Sequence, residues 1–354
     1  MPLDTTFAGL SVRGLGWGGS SIQGNLYVTN FGSNTVSQVN LSNFGVFNTI
    51  GVGTNPGTMI IDSTGTYAYV GYDSNIISRI NLSNLSVNTI NLSYPSSLTT
   101  NLTLDSTDSY LYVSNYFNSY VSQINLSSFT INNELYVGID PTVSIINPSN
   151  TYLYTLSSDS YLVRYDFSTS VTDNQVIGPG PVSLVPDSTY TYAYITYSGG
   201  FIRADLAGFS LSSTTTLETT PTALVLDSTE TYAYVVNNGS ASVSQIDLST
   251  LALVGTVSVG SEPVDLALDP SDTYLYVTNG NSASVSQIEV SSLTVTNTIS
   301  IGYNPFTIVI DSQGLNAYVA GSDTNSITRI DLSSLTPTPL TVGTGPSALV
   351  LWPQ

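Results

Sequence analysis

The chain has no cysteine, no histidine and no lysine, its five cationic residues being Arg13, Arg79, Arg164, Arg203 and Arg329. Those absences exclude disulfides, thiolate and imidazole metal sites, Schiff-base chemistry, phosphate loops built on a lysine, and Ser-His-Asp or Cys-His nucleophile systems. Charge is scarce as well: charged residues are 8% of 354, and 24 Asp and Glu leave a net charge of -19. A surface of that sign repels phosphate backbones and anionic headgroups, so neither nucleic acid nor membrane insertion is expected. Long apolar runs are missing, with no window of about 18 uncharged apolar residues. The opening MPLDTTFAGLSVRGLGWGGSS shows no basic segment leading into an apolar one. A surface rich in Ser, Thr, Asn and Gly is polar without being charged, and the location expected from it is extracellular, on a cell or on a virion, with no export signal visible.

What the chain does contain is a repeat. Tyr-x-Tyr-Val-like strings recur, as in TYAYV at 66–70, SYLYV at 109–113, TYAYV at 231–235 and TYLYV at 273–277. The second tyrosines, or their equivalents, fall at Tyr27, Tyr69, Tyr112, Tyr154, Tyr194, Tyr234, Tyr276 and Tyr318, about 42 residues apart. Each unit runs from a Pro through an apolar alternation to an Asp-Ser-Thr-type turn, then the paired-Tyr strand, a Gly/Asn/Ser loop, a VSQI-like strand, a short turn and a Val/Thr/Ile strand. Period-2 alternation with β-branched and aromatic enrichment opposes helices. Four strands per 40 to 45 residues is the arithmetic of a β-propeller.

The first unit begins at its second strand, and the closing segment GTGPSALVLWPQ matches a first strand and stops. The expected architecture is therefore an all-β propeller of eight four-stranded blades, with the C-terminal strand closing the first blade. Seven blades plus an irregular unit is the alternative. Residues 1–24 form an N-terminal arm and 25–354 a single propeller domain.

LYVTN at 26–30 and 275–279, LYVSN at 111–115 and the VSQI-Asn/Asp-Leu run resemble the YVTN-family β-propellers. The resemblance covers residues 25 to 352. It implies the propeller fold and a kinship with surface-layer and other exported prokaryotic proteins. Gln or Arg stands where an aliphatic residue is usual in the third strand.

Repeated positions read as packing. Of 24 Tyr, 14 belong to the strand motif, where a ring with a polar tip suits a sheet buried on both faces. Asp62, Asp105, Asp187, Asp227, Asp269 and Asp311 are expected to make Asx turns. The pairs Asp105/Asp108 and Asp269/Asp272 are the first places to look for a cation, which needs several converging oxygens. Asn-x-Ser/Thr strings occur at Asn40, Asn81, Asn84, Asn91, Asn101, Asn125 and Asn238, three of them at a turn slot that is Asp in other units. One third-strand slot reads Gln38, Arg79, Gln123, Arg164, Arg203, Gln245, Gln287, Arg329, and its long planar donors are expected to hydrogen-bond between blades.

Nine of the ten remaining tyrosines lie between 72 and 197. Tyr72, Tyr94, Tyr116, Phe117, Tyr120 and Tyr197, with Asp73, Asn118 and Asp159 between them, are expected to form an aromatic arc on one face, suited to a sugar or a peptide. The functional expectation is a non-enzymatic structural or adhesive module at a cell or particle surface, with no cofactor and no metal. Its partners would be other surface or particle proteins, a second copy of the chain through the N-terminal arm, or a glycan or peptide bound by the arc. Propeller lactonases and carboxylate-based glycosidases are the enzyme classes compatible with the missing Lys and Cys. The absence of His weighs against the first, and no spacing singles out a carboxylate pair for the second.

Overall fold

The computed structural model describes residues 24–94, 98–321 and 323–353, so the N-terminal arm lies outside the described residues apart from Gly24. The described backbone forms eight antiparallel sheets, the blades of a β-propeller. Its one helical turn among the described residues is a 3-10 turn, Asn238–Ser240, and no helix there is long and apolar enough to cross a membrane. The chain divides into two compact units, Met1–Gly51 with Thr215–Gln354, and Val52–Thr214.

In the first unit, blade one joins both ends of the chain. Pro346–Trp352 pairs with Asn25–Asn30, setting Tyr27 opposite Val350, and Thr35–Asn40 and Gly45–Gly51 follow outward. The expected completion of the first blade by the C-terminal strand is therefore observed. Blades six, seven and eight begin at Pro221–Leu226, Pro263–Leu268 and Thr307–Ile310, and these first strands pack side by side. In the second unit, blades two to five begin at Pro56–Ile61, Leu98–Leu104, Pro141–Ile146 and Ser183–Pro186. The fourth strand of blade five is short, Ser210–Leu211, paired with the third strand, Gly200–Asp205.

Blade seven shows why the sequence takes this form. Pro263 opens the first strand, where a missing N–H is tolerated. Asp269 ends that strand, its Oδ1 accepting the N–H groups of Thr273 and Tyr274 at 2.7 and 3.0 Å and its Oδ2 the Ser271 hydroxyl. The second strand, Tyr274–Asn279, is buried on both faces after its first residue, whereas the outer strand, Thr294–Ser300, is exposed except at Ile299. Asp62, Asp105, Asp187 and Asp227 repeat the Asp269 turn, and Asn147 makes it with an amide. Asp108 and Asp272 reach back one blade, each accepting a backbone N–H, from Ser63 at 2.9 Å and Ser228 at 2.8 Å. These carboxylates hold turns and latch neighbouring blades, and among the described residues no three acidic groups gather as a metal would need.

The turn after the third strand explains three of the Asn-x-Ser strings. Asn40, Asn81 and Asn125 each accept the backbone N–H and the hydroxyl of the Ser two residues on. Asp166, Asp247 and Asp331 do the same. Hydrogen bonds from Ser333 hold the Asp331 carboxyl down at about 2.

At the Gln/Arg slot the two residue types behave differently. Gln38, Gln123, Gln245 and Gln287 donate to the hydroxyls of Tyr27, Tyr112, Tyr234 and Tyr276 in their own blades at 2.9 to 3.1 Å. The arginines instead lie over aromatic rings. Arg79 sits 4.8 Å from the Tyr67 centroid and 4.4 Å from Phe129 of the next blade. Arg164 sits 4.4 Å from Phe209 and Arg329 4.7 Å from Phe44, each again on the following blade. Interblade hydrogen bonding is present too, Arg79 donating to the Leu126 carbonyl at 2.7 Å, while Arg164 also pairs with Asp173 of its own blade at 2.8 Å.

Candidate functional site

The expected aromatic arc does not assemble as one surface. Tyr72 is fully buried, with its hydroxyl on Ser78 at 2.6 Å and receiving the Gly53 N–H, and Tyr197 is buried against Gly178 with its hydroxyl on Thr214. Both occupy a repeated position, three residues after the motif tyrosine, that is asparagine in blades one, three, six and seven. There Asn30, Asn115, Asn237 and Asn279 donate to Ser37, Ser122, Ser244 and Ser286 at 2.8 to 3.0 Å. Tyr72 and Tyr197 are thus core residues, made possible by Gly53 and Gly178, where an added Cβ would come within 2.9 and 2.5 Å of the rings.

The rest of the set divides. Tyr94 stacks on Tyr120 at 4.9 Å, Tyr120 meets the edge of Tyr136 at 5.7 Å, and Tyr116 meets Phe117 at 4.8 Å. Asn118 accepts the Tyr120 N–H at 3.0 Å, Asp73 lies exposed behind Tyr72, and Asp159 lies exposed at a separate cleft in blade four. The described tyrosines chiefly contact one another.

A larger opening lies elsewhere, between blades two and three. A groove of about 490 Å³ is lined by Tyr67, Tyr69, Tyr110, Asp62 and Asp108, with the hydroxyls of Thr64, Thr66, Ser109 and Ser127 around them. Turn chemistry places its acidic rim, and the paired-Tyr strand Tyr67–Tyr72 its floor. Asp62 is saturated by the N–H groups of Thr66 and Tyr67 and the Thr64 hydroxyl. Asp108 binds the Ser63 N–H and hydroxyl through Oδ2 alone.

Tyr69, itself only 2% exposed, lies at the base of this groove. In its blade the usual glutamine is Arg79, which lies over Tyr67, and no hydrogen bond stabilises the Tyr69 phenolate. Burial pushes its pKa well above the usual phenol range, Asp62 and Asp108 push it further, and Arg79 opposes them. Tyr69 therefore keeps its proton at neutral pH and is available as a hydrogen-bond donor, lining the same groove as Asp108, whose Oδ1 carries no hydrogen bond. The sequence reading missed it because Tyr69 belongs to a packing motif. The signal available was the Gln-to-Arg exchange at 79, which removes the hydroxyl's partner.

One further carboxylate stands out in the other unit. Asp265, in the first strand of blade seven, is 5% exposed. It clamps blade eight, accepting the Thr307 hydroxyl at 2.9 Å and the Ile308 N–H at 3.0 Å on Oδ2, and the Leu266 N–H at 2.9 Å on Oδ1. Burial pushes it up to about 6 against the pull of those bonds.

Residues 191–298 match the model of a family described as lactonase, 7-bladed beta-propeller. No curated protein matches the chain. Among solved structures, the dihydro-heme d1 dehydrogenase NirN is similar with a TM-score of 0.81 at 12% identity, over 96% of this chain and 77% of that one. AztD from Citrobacter koseri gives 0.67 at 13%, over 92% and 97%. A putative 6-phosphogluconolactonase from Bacteroides fragilis gives 0.63 at 15%, over 93% and 98%. At these identities the structural likenesses show the fold, a β-propeller. The lactonase match overturns the expectation of a non-enzymatic structural or adhesive surface module, because it aligns blades five to seven with an enzyme family. The chain differs from that family's description in having eight blades.

Proposed function

We propose that the chain is a lactonase-type hydrolase that opens an uncharged, hydroxyl-rich cyclic ester in the groove between blades two and three. The observation that carries this reading is the juxtaposition of Tyr69, a proton donor without a partner, and Asp108, a carboxylate with a free oxygen, in a groove large enough for a sugar-sized ring. The lactonase match supports the reaction class; it does not include the groove, so the residue roles are our own assignment. No cationic side chain lines the groove and two carboxylates do, which disfavours phosphorylated lactones. The face of Tyr110 suits the C–H face of a sugar ring; one face of Tyr67 is covered by the Arg79 guanidinium.

In the proposed reaction, water attacks the ester carbonyl carbon while Asp108 Oδ1 takes its proton. The carbonyl π pair moves to oxygen, where the Tyr69 hydroxyl donates to it. Collapse of the tetrahedral intermediate breaks the ring C–O bond, and the departing alkoxide recovers the proton from Asp108, giving the hydroxy acid. No histidine or lysine is needed.

The test is acid release at constant pH from a panel of sugar and simple lactones, measured above the buffer blank. Asp108→Asn keeps the turn, since blade four uses Asn150 there to accept the Ser106 N–H, and should lower kcat by about 10²-fold or more, as for loss of a general base. Tyr69→Phe should lose about 10² to 10³-fold, as for one oxyanion donor. Failure of the wild type to hydrolyse any lactone, or full activity in Asp108→Asn, would overturn the reading.

A further inference from the structure

Blade four departs from its sister blades at a position that carries asparagine in four of them, tyrosine in two and, in blade eight, Gly321 packed against the Tyr303 ring. There the residue is Ser157. In blades one, two, five and seven a glycine of the preceding loop makes room for the larger side chain: Gly343 for Asn30, Gly53 for Tyr72, Gly178 for Tyr197 and Gly260 for Asn279, each with an added Cβ within 3.0 Å of that side chain. Blade four keeps the glycine, Gly138 at φ +92, but opposite it stands only the Ser157 hydroxyl, 3.2 Å from where a Cβ would lie. The volume filled in the sister blades is open here, as a cleft of about 170 Å³ lined by Gly138, Ser157, Asp159, Tyr161, Val163 and Asn174 among others.

The lining specifies an occupant. Val163 and Tyr161 contribute apolar surface to the lining, and Asp159 and Asn174 polar groups, Asn174 directly across the ladder from Val163. The Ser157 hydroxyl meets two acceptors, the Ile139 carbonyl at 2.8 Å and Asp159 Oδ1, with a single proton to give. That hydroxyl can serve only one of them, and no cationic side chain lines the cleft beside the exposed Asp159 carboxylate, although Tyr161, Thr172 and Asn174 also carry donors. The blade's arginine, Arg164, is one residue from Val163 and so on the opposite face of the strand, where it pairs with Asp173. A ligand that brings several N–H donors, a positive charge and a short apolar tail satisfies all of these at once. A net charge of -19 adds a long-range attraction for cations.

We propose that this cleft binds a small primary alkylammonium ion, its ammonium group on Asp159 and Ser157 and its alkyl chain against Val163 and Tyr161. The site is separate from the groove at Tyr69 and does not depend on the hydrolase reading.

Calorimetric titration of the full chain with n-propylammonium chloride should show saturable binding, with none for n-propanol, which has the same shape and no charge, and weaker binding for tetramethylammonium, which lacks N–H donors. Asp159→Asn, an exposed change, should weaken binding about tenfold or more at unchanged melting temperature. Ser157→Asn refills the cleft with the residue of the sister blades and should abolish binding. If Ser157→Asn fails to fold, Asp159→Asn decides alone. Absence of saturable binding, equal binding of n-propanol, or undiminished affinity in a folded variant would overturn the proposal.

Discussion

Asp265 offers the sharpest physical test, because its burial and its hydrogen bonds pull in opposite directions. Three donors converge on it: Leu266 N–H on Oδ1, and Thr307 OH and Ile308 N–H on Oδ2. Burial outweighs them and raises the carboxyl to about 6. Since the folded value lies above the unfolded one, the folded chain holds more protons between the two, and stability falls as pH rises through that window. From pH 4 to pH 7 this one group should remove about 2 kcal/mol, most of the full effect of its displacement at roughly 1.4 kcal/mol per pH unit. Asp265→Asn does not titrate, but its amide can accept on one side only, so a backbone N–H on the other side is stranded at a cost of about 1–3 kcal/mol. At pH 4 the variant should therefore be the less stable protein by that amount, and near pH 7 the difference should vanish or reverse. Urea unfolding of both proteins at pH 4, 5, 6 and 7 reads this directly, because every other titrating group cancels in the difference. Parallel stability curves across the range would refute the reasoning.

Three other outcomes follow from the packing. Arg79→Ala should lose about 1–3 kcal/mol through the missing ring stacking and the stranded Leu126 carbonyl, and Arg79→Lys should not restore it; both are read by urea midpoints. Asn237→Ala should cost about 1–3 kcal/mol, because the Ser242 and Ser244 hydroxyls lose a buried donor; equal stability would show the amide to be dispensable. Deleting residues 346–354 should leave Asn25–Asn30 with one open edge, giving concentration-dependent association in light scattering.

Much of this fold is written in the chain because its punctuation repeats. The Asp turn, the paired tyrosines and the terminal half-units together predict that Pro346–Trp352 pairs with the strand of Tyr27, as observed. The candidate sites were harder to read for a specific reason. Tyr72 and Tyr197 look like additions to the repeat when tyrosines are counted, but counting three residues from each motif tyrosine places them in the asparagine slot. The pairing of Arg79 with Phe129, Arg164 with Phe209 and Arg329 with Phe44 links residues of neighbouring blades, and no local pattern announces it. Elimination by missing residue types also misled. Missing histidine, lysine and cysteine did not justify the step to a non-enzymatic module, which the lactonase match overturns, and residue spacing does not show that Asp108 and Tyr69 of neighbouring blades line one groove.

A repeat supplies its own reference state, and departures from it are where free chemistry arises. A glutamine in the third strand satisfies the motif hydroxyl in four blades. Replacing it by arginine removes that partner, and the consequences differ. Tyr154 recovers a bond to the Leu206 carbonyl at 2.8 Å. Tyr318 is left buried with its hydroxyl unpaired, a pure cost of about 1–3 kcal/mol, with nothing for a ligand to reach. Tyr69 alone of these three lines an open groove beside carboxylates. An uncompensated polar group can act on a ligand only where solvent can also reach it. The groove at Tyr69 is therefore where the proposed activity is placed, whereas the exchange at 329 leaves an unpaired hydroxyl and the exchange at 164 is answered by the Leu206 carbonyl.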